Sequence, residues 1–188
     1  MTKTALRKIY KEKRKEISLK DKDRWTDMIL INFQQIELPF INCVHTYLAI
    51  DEQNEINTDI IIRYLKFVNP GLQIVIPKIN LDKGEMRHYI FDDNVAMAPN
   101  SFGIIEPVSG KKVSAEEIDI VITPLLAFDE KGYRVGYGKG FYDKFFTSCR
   151  GDVIKIGLSF FGAEPVIEAN AHDIPLDYCV TPQRVYTF

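Results

Sequence analysis

Cysteine is scarce in this chain, and the three residues present, Cys43, Cys149 and Cys179, are odd in number and far apart. With no CxxC pair and no Cys/His cluster, neither a disulfide framework nor a zinc site is expected, and the three read as buried or partly buried free thiols. Long apolar runs are missing too. The longest, such as Val121-Ile122 and residues 124–128, fall far short of the roughly 20 residues that span a bilayer. No apolar stretch follows Met1, so no secretory signal is expected. These absences lead to the expectation of a soluble, cytoplasmic protein with no membrane partner. Repeats, low-complexity tracts and linkers are also lacking, which leaves one domain over residues 1–188.

What is present suits a globular enzyme. Hydrophobic residues make up 46% of the chain and charged residues 27%, enough apolar material for a real core. The net charge of −2 is unevenly spread. Residues 1–24 hold ten basic side chains against four acidic ones, so a basic segment faces an acidic body. That asymmetry suits an anionic partner without saying which.

Periodicity sets out the elements. Leu6, Ile9, Tyr10, Lys13 and Ile17 share one face of a first helix, with Thr2 as its cap. Ser18 and Asp21 resemble a capping box for a second helix, whose apolar face is Trp25, Met28, Ile29 and Phe33. Strands are expected over residues 43–50, 73–79, 85–91, 119–128, 153–161 and 178–180. Helices are expected over 58–68, halted by Pro70-Gly71, and over 140–149. Residues 92–118 look irregular, apart from a helical turn capped by Ser114. The near-continuous apolar run 119–128 reads as a strand buried on both faces. Strands alternating with helices predict an α/β fold with a mainly parallel sheet covered on both faces.

The chemistry concentrates after that run. A turn at residues 129–132 leads to Gly136, Gly138 and Gly140 at alternate positions, then to a helix. Such glycines let backbone N–H groups approach an anion, and the following helix points its free amides and positive dipole end at the same place. Lys139 and Arg134 add charge. The spacing is neither a Walker A loop nor the GxGxxG dinucleotide fingerprint, and alone it is equally compatible with a simple hairpin. Asp143, in the first helical turn, either complements the dipole or holds Mg²⁺ against phosphate oxygens. Asp173 offers a second carboxylate or is an ordinary loop residue. Lys3 and Arg7, spaced i, i+4, form either a solvated basic face or a reach toward phosphates. His45, His88 and His172 accompany no activated Ser or Cys motif.

Four segments, in order, resemble those of the 5-formyltetrahydrofolate cyclo-ligase family. Arg134-Val135-Gly136-Tyr137-Gly138-Lys139-Gly140-Phe141-Tyr142-Asp143 is similar to its RLGYGKGYYD signature. Lys3-Thr4-Ala5-Leu6-Arg7 is similar to its KxxLR. Phe102-Gly103-Ile104-Ile105-Glu106-Pro107 resembles FGIxEP, and His172-Asp173, Asp177 and Val180-Thr181-Pro182 resemble HDxxxDxxxTP. The resemblance implies a three-layer α/β/α, Rossmann-like domain. It implies conversion of 5-formyltetrahydrofolate and MgATP to 5,10-methenyltetrahydrofolate, ADP and phosphate, through phosphorylation of the formyl oxygen and ring closure by N10. It implies ATP binding by Lys3, Arg7, Arg134, Gly136, Gly138, Lys139, Gly140 and Tyr142, with Lys139 and Arg134 catalytic. Asp143 and Asp173 would ligand Mg²⁺. Ile50, Glu55, Phe102 and residues 137–141, with Tyr137 and Phe141, would line the folate site. Phe102 stands where some members carry Trp, and Phe141 replaces a Tyr. A monomer acting on small molecules is expected.

Two rival readings remain at this stage. A phosphotransferase with another small substrate would use the same glycine loop. A nucleic-acid-binding module would use the basic first helix, but its basic residues ring the helix rather than form one stripe, and no recognised binding motif is present.

Overall fold

Thr2 and Ser18 each start a helix through their side chains. Thr2 accepts from the amide of Ala5 at the head of α1 (Lys3–Lys15), and Ser18 accepts from that of Asp21 at the head of α2 (Leu19–Phe33). The computed structural model describes residues 1–100 and 104–188. Its strands in chain order are β1 (Cys43–His45), β2 (Gln73–Asn80), β3 (Glu85–Ile90), β4 (Ala96–Pro99), β5 (Ile105–Ser109), β6 (Ile120–Pro124), β7 (Ala127–Phe128), β8 (Arg134–Val135), β9 (Ile154–Leu158), β10 (Tyr178–Val180) and β11 (Val185–Thr187). Two further helices are α3 (Asp59–Val68) and α4 (Phe141–Ser148).

The main sheet has the order β11-β10-β9-β6-β1-β2-β3. Its five central strands are parallel, and β3 and β11 close the edges antiparallel. Alternation along these strands divides two cores. Val44, Ile74, Ile120, Ile122 and Ile156 face Ile29, Phe33, Ile61 and Leu65 of α2 and α3. Cys43, Val75 and Val121 face Phe145 and Phe146 of α4. The fold is therefore the expected three-layer α/β arrangement. The helix α1 belongs to neither layer. Its Leu6 and Tyr10 pack on Leu126, Ala127, Val135 and Ile167 beside the β7–β8 ribbon. Among the described residues, no helix is long and apolar enough to cross a membrane.

Four expectations need correction. The run 119–128 is not one strand, because Pro124 has no N–H to continue the ladder. Leu126 N–H turns instead to Val135 O, and Ala127-Phe128 pair with Arg134-Val135 in a separate ribbon. Both pieces are buried apart from Pro124, so apolarity alone could not separate them. The strand expected over 43–50 leaves the ladder after His45. Residues 92–118 hold the hairpin β4–β5, masked in the sequence by Pro99 and Pro107, which edge strands tolerate. At 153–161 the strand stops at Leu158, where the Ser159 hydroxyl accepts from Phe161 N–H at 3.1 Å and bends the chain.

Under α4, His45 is fully buried, and its ring lies 5.1 Å from that of His88. Both pack on Phe145, His88 stacked at 4.2 Å and His45 tilted at 4.7 Å. Neither ring nitrogen of His45, nor Nδ1 of His88, has a hydrogen-bond partner among the described residues. Burial, together with the neighbouring His88, pushes His45 well below its ordinary value, and burial brings His88 down from 6.5 to about 4. Both are neutral in the fold, whereas the unfolded chain binds protons below about 6.5. Their stabilisation is thus present above that pH and lost as pH falls toward 4. Thermal melts between about pH 7.5 and 5 are expected to show a smaller loss of Tm in His88→Leu than in the wild type. Equal losses would assign the acid lability elsewhere.

Candidate active site

Chain order reverses between β1 and β6, since β1 leads outward to β2 while β6 leads the other way to β9. Ligands of open α/β sheets bind beyond the carboxyl ends of strands at such a switch point. A cavity of about 570 Å³ lies there, lined by Tyr47 and Leu48 beyond β1 and by Pro124 at the end of β6. That volume falls within the range that encloses a small-molecule ligand.

The glycine loop forms one wall. Asp129, wholly buried, fixes the turn before it by accepting from the amides of Lys131 (3.0 Å) and Tyr133 (2.9 Å), and from that of Ile167 at 2.9 Å. Gly138 (φ 96°) and Gly140 (φ 67°) adopt left-handed conformations that favour glycine. A Cβ on Gly138 would lie 3.2 Å from the Arg7 guanidinium. Among the described residues, none accepts a hydrogen bond from the amides of residues 136–140. Gly140 caps α4 without a side-chain bond, so the first-turn amides of that helix are open as well. Free amides and a helix N-terminus together make an anion site.

Positive charge converges on those amides. Lys3, Arg7 and Lys11, each four residues apart on α1, line the cavity, while Lys8, Lys13 and Lys15 are exposed and do not, so three of the cations that ring the helix serve this site. Arg7 Nε donates to Gly136 O at 3.0 Å, tying α1 to the loop. Lys139 is exposed on the loop, and Arg134 is buried at its start. Two carboxylates offset this charge. Lys3 Nζ meets Asp173 Oδ2 at 2.5 Å, and Arg134 Nη2 meets Asp143 Oδ1 at 2.8 Å. Burial disfavours charge on Asp173, but hydrogen bonds from Lys3 and the Asn170 amide outweigh it and hold the carboxyl below its ordinary value. Arg134 also donates to Ile174 O at 2.6 Å and lies 4.8 Å over the Phe146 ring, so much of its donor capacity is already committed to the protein.

Both carboxylates line the cavity, with their hydrogen bonds to the protein on Oδ1 of Asp143 and Oδ2 of Asp173. One oxygen of each remains for a cation. Among the described residues there is no cluster of three or more His, Cys, Asp or Glu side chains. Two carboxylates are as many as Mg²⁺ takes from a protein when phosphates and water complete its shell.

The opposite wall is aromatic and apolar, with Tyr47, Ile50, Pro77, Ile79 and Ile104. Glu55 lies at its base, 3% exposed. Tyr137 Oη donates to Glu55 Oε1, and the amide of Ile50 donates to Oε2 at 2.8 Å. Burial raises the Glu55 carboxyl above its ordinary value, against the opposing pull of Tyr137, Ile50 N–H, Arg14 and Lys22. Tyr142, at the head of α4, is pushed up by burial and by Glu55, and stays a neutral phenol.

Every described residue singled out from the sequence for nucleotide, folate or metal lines this one cavity: Lys3, Arg7, Ile50, Glu55, Arg134, Gly136, Tyr137, Gly138, Lys139, Gly140, Phe141, Tyr142, Asp143 and Asp173. Phe102 lies outside the described residues. Sequence reasoning missed Lys11, Tyr47, Ile79 and Asn170, which also line it. Extending the Lys3–Arg7 spacing by four would have found Lys11. No local pattern marks the others.

Comparison with known proteins gives a concordant picture. A model of the 5-formyltetrahydrofolate cyclo-ligase family matches residues 1–182. A probable 5-formyltetrahydrofolate cyclo-ligase of Schizosaccharomyces pombe is 30% identical over 132 residues, 61% of this chain and 64% of the relative, so the chain spans just under two thirds of that protein. The 5-formyltetrahydrofolate cyclo-ligase of Mycoplasma pneumoniae is 27% identical over 97% of this chain and 100% of its own. The solved Aquifex aeolicus 5,10-methenyltetrahydrofolate synthetase superposes with a TM-score of 0.79 at 29% identity, covering 100% of this chain and 93% of that one.

Removing Asp143 takes from buried Arg134 its directly paired carboxylate, leaving Asp173 as a more distant one. Asp143→Ala is expected to destabilise the fold by about 3 kcal/mol, the low end for breaking a buried pair because Asp143 is partly open to solvent. Urea unfolding measures this, and a loss within about 0.5 kcal/mol, as at an ordinary surface site, would contradict the pairing.

Proposed function

This chain belongs to the 5-formyltetrahydrofolate cyclo-ligase family, and on that premise we propose that it uses MgATP to convert 5-formyltetrahydrofolate to 5,10-methenyltetrahydrofolate, ADP and phosphate. One observation carries the reading. A single cavity has five cations and loop amides without a partner among the described residues on one wall, a carboxylate among aromatic and apolar side chains on the other, and residues 136–141 common to both.

The chemistry needs such a joint. The formyl oxygen of an amide is a poor leaving group, so N10 cannot displace it directly. Attack of that oxygen on the γ-phosphorus breaks the bond to ADP and turns the oxygen into a phosphate ester. N10 then bonds to the formyl carbon and loses its proton as phosphate departs. The protein's contribution is alignment and stabilisation of spread negative charge. In this reading the loop amides, Lys3, Arg7 and Lys139 hold the polyphosphate. Arg134 adds its charge beside them and fixes Asp143, and Tyr142 packs beneath. Asp143 and Asp173 hold Mg²⁺, which when bound neutralises phosphate charge and orients the γ-phosphoryl group. Glu55 accepts from ring N–H groups of the pterin, while Ile50, Tyr137 and Phe141 flank it. We place the reaction in the cytoplasm, performed by a monomer whose partners are small molecules.

Formation of methenyltetrahydrofolate absorbance from 5-formyltetrahydrofolate, dependent on ATP, tests the activity; no signal with both substrates present would end it. Lys139→Ala is expected to lower kcat by about two to three powers of ten, the loss typical of a donor aimed at transition-state charge. Undiminished turnover would remove Lys139 from that role. Asp143→Asn keeps the acceptor for Arg134 but weakens a metal ligand, so the Mg²⁺ concentration for half-maximal rate should rise. Indifference to metal would count against ligation.

A further inference from the structure

Arg14 is buried in the last turn of α1, on the same side as Leu6 and Tyr10, and is 5% exposed. Among the described residues it makes no direct ion pair. Its Nη2 donates to Leu125 O at 2.5 Å and its Nη1 to Tyr137 Oη at 2.9 Å, while Nε has no partner. Asn54, in a left-handed conformation (φ 50°), donates to Arg14 O at 2.8 Å and to Ile17 O at 3.1 Å, fastening the segment before Glu55 to the end of α1. A guanidinium buried without a carboxylate in contact is expensive, and an apolar side chain would brace Leu125 and the helix more favourably.

The polarity of the chain of bonds shows what the charge accomplishes. A guanidinium only donates, so the Tyr137 oxygen must accept from Arg14 and must pass its own proton onward. Glu55 Oε1 is the recipient. The other oxygen of Glu55 is satisfied by Ile50 N–H. Glu55 thereby enters the cavity as a pure acceptor, which selects ligands that present N–H groups. Tyr137 and Glu55 line the cavity and Arg14 does not.

We propose that Arg14 is a positioning residue for the folate side of the site, fixing the hydrogen-bond direction through Tyr137 so that Glu55 remains an acceptor. This rests on the cyclo-ligase reading. The groups facing Glu55 are Arg14 from α1, Lys22 from α2, Tyr47 beyond β1, Tyr137 from the glycine loop and Tyr142 from α4. Arg14 is one of two cations that oppose its burial. Replacing Arg14 by Gln lets the phenol donate to the new amide oxygen. Glu55 then loses both a donor and a cation, and takes up a proton at higher pH than before.

Kinetics on Arg14→Gln, Arg14→Lys, Tyr137→Phe and the Gln/Phe double variant test this. Arg14→Gln and Tyr137→Phe should each raise the KM for 5-formyltetrahydrofolate about tenfold near neutral pH and leave that for ATP within about twofold. The double variant should be no worse than the worse single one, as expected for members of one network. Arg14→Lys, also donor-only, should recover most of the affinity. In Arg14→Gln, the rise of folate KM on the acid side should move to higher pH. Parallel losses for ATP, multiplicative singles, or a lower Tm with unchanged folate KM would reduce Arg14 to a structural clamp and overturn the proposal. Should Arg14→Gln not fold, Arg14→Met, which also lacks the donor but is apolar, decides by whether folate KM rises apart from ATP KM. A wild type without turnover would sink the cyclo-ligase reading instead. Tryptic cleavage after Lys139 would then decide the positioning: accelerated several-fold in both single variants supports it, and unchanged overturns it.

Discussion

Two carboxylates, Asp143 and Asp173, keep the positive charge of this cavity assembled. Lys3, Arg7, Lys11, Arg134 and Lys139 all line it, and two like charges about 4 Å apart repel by about 4 kcal/mol at an effective dielectric near 20. Asp173 reaches Lys3 across 170 residues of sequence, and Asp143 reaches Arg134 across nine. Through these pairs the start of α1, the β8 strand, α4 and the loop before β10 become parts of one wall. The offset is partial, and the excess positive charge is what an incoming polyphosphate would meet.

The position of α1 follows from the same balance. It covers neither face of the main sheet and packs instead on the β7–β8 ribbon. That ribbon exists because Pro124 ends β6 and sends Leu126 to Val135 rather than to a sheet neighbour. Once α1 lies there, its i, i+4, i+8 cations face the cavity, and Arg14 is carried into the interior. Part of the basic character of the first helix, Lys3, Arg7 and Lys11, is thus explained by the cavity, while Lys8, Lys13 and Lys15 remain exposed outside it.

Legibility tracked sequence separation. The α4 helix, the glycine loop, the parallel strands and the three layers follow from local periodicity and turn chemistry, and local signals also mark Thr2, Ser18 and Ser114 as caps. The β4–β5 hairpin was hidden because Pro99 and Pro107 read as breakers, although edge pairing leaves their missing N–H groups outside the ladder. The split of residues 119–128 was hidden because both halves are equally buried. The Arg14–Tyr137–Glu55 chain was hidden for a different reason. Arg14 and Tyr137 are 123 residues apart and Tyr137 and Glu55 are 82 apart, and the expected apolar face took in Lys13, although four-residue steps from Leu6 through Tyr10 lead to Arg14.

In the proposed reaction, the loop of residues 136–140 would let one cavity serve two ligands. Its amides and Lys139 address an anion, while Tyr137 is held by Arg14 and Glu55 toward the opposite wall. Five residues reach at most about 17 Å when extended, and the left-handed turns at Gly138 and Gly140 shorten that further. Two ligands gripped by such a segment are kept close enough for direct transfer. The same economy constrains substitution. Any side chain at Gly138 strains the backbone and crowds Arg7, so it disturbs the polyphosphate wall and the anchor of α1 together. A change at Tyr137 acts on the opposite wall through Glu55. In the proposed reaction, neighbouring positions in one short loop would therefore separate nucleotide effects from folate effects, which a scaffold with two independent pockets could not do within so few residues.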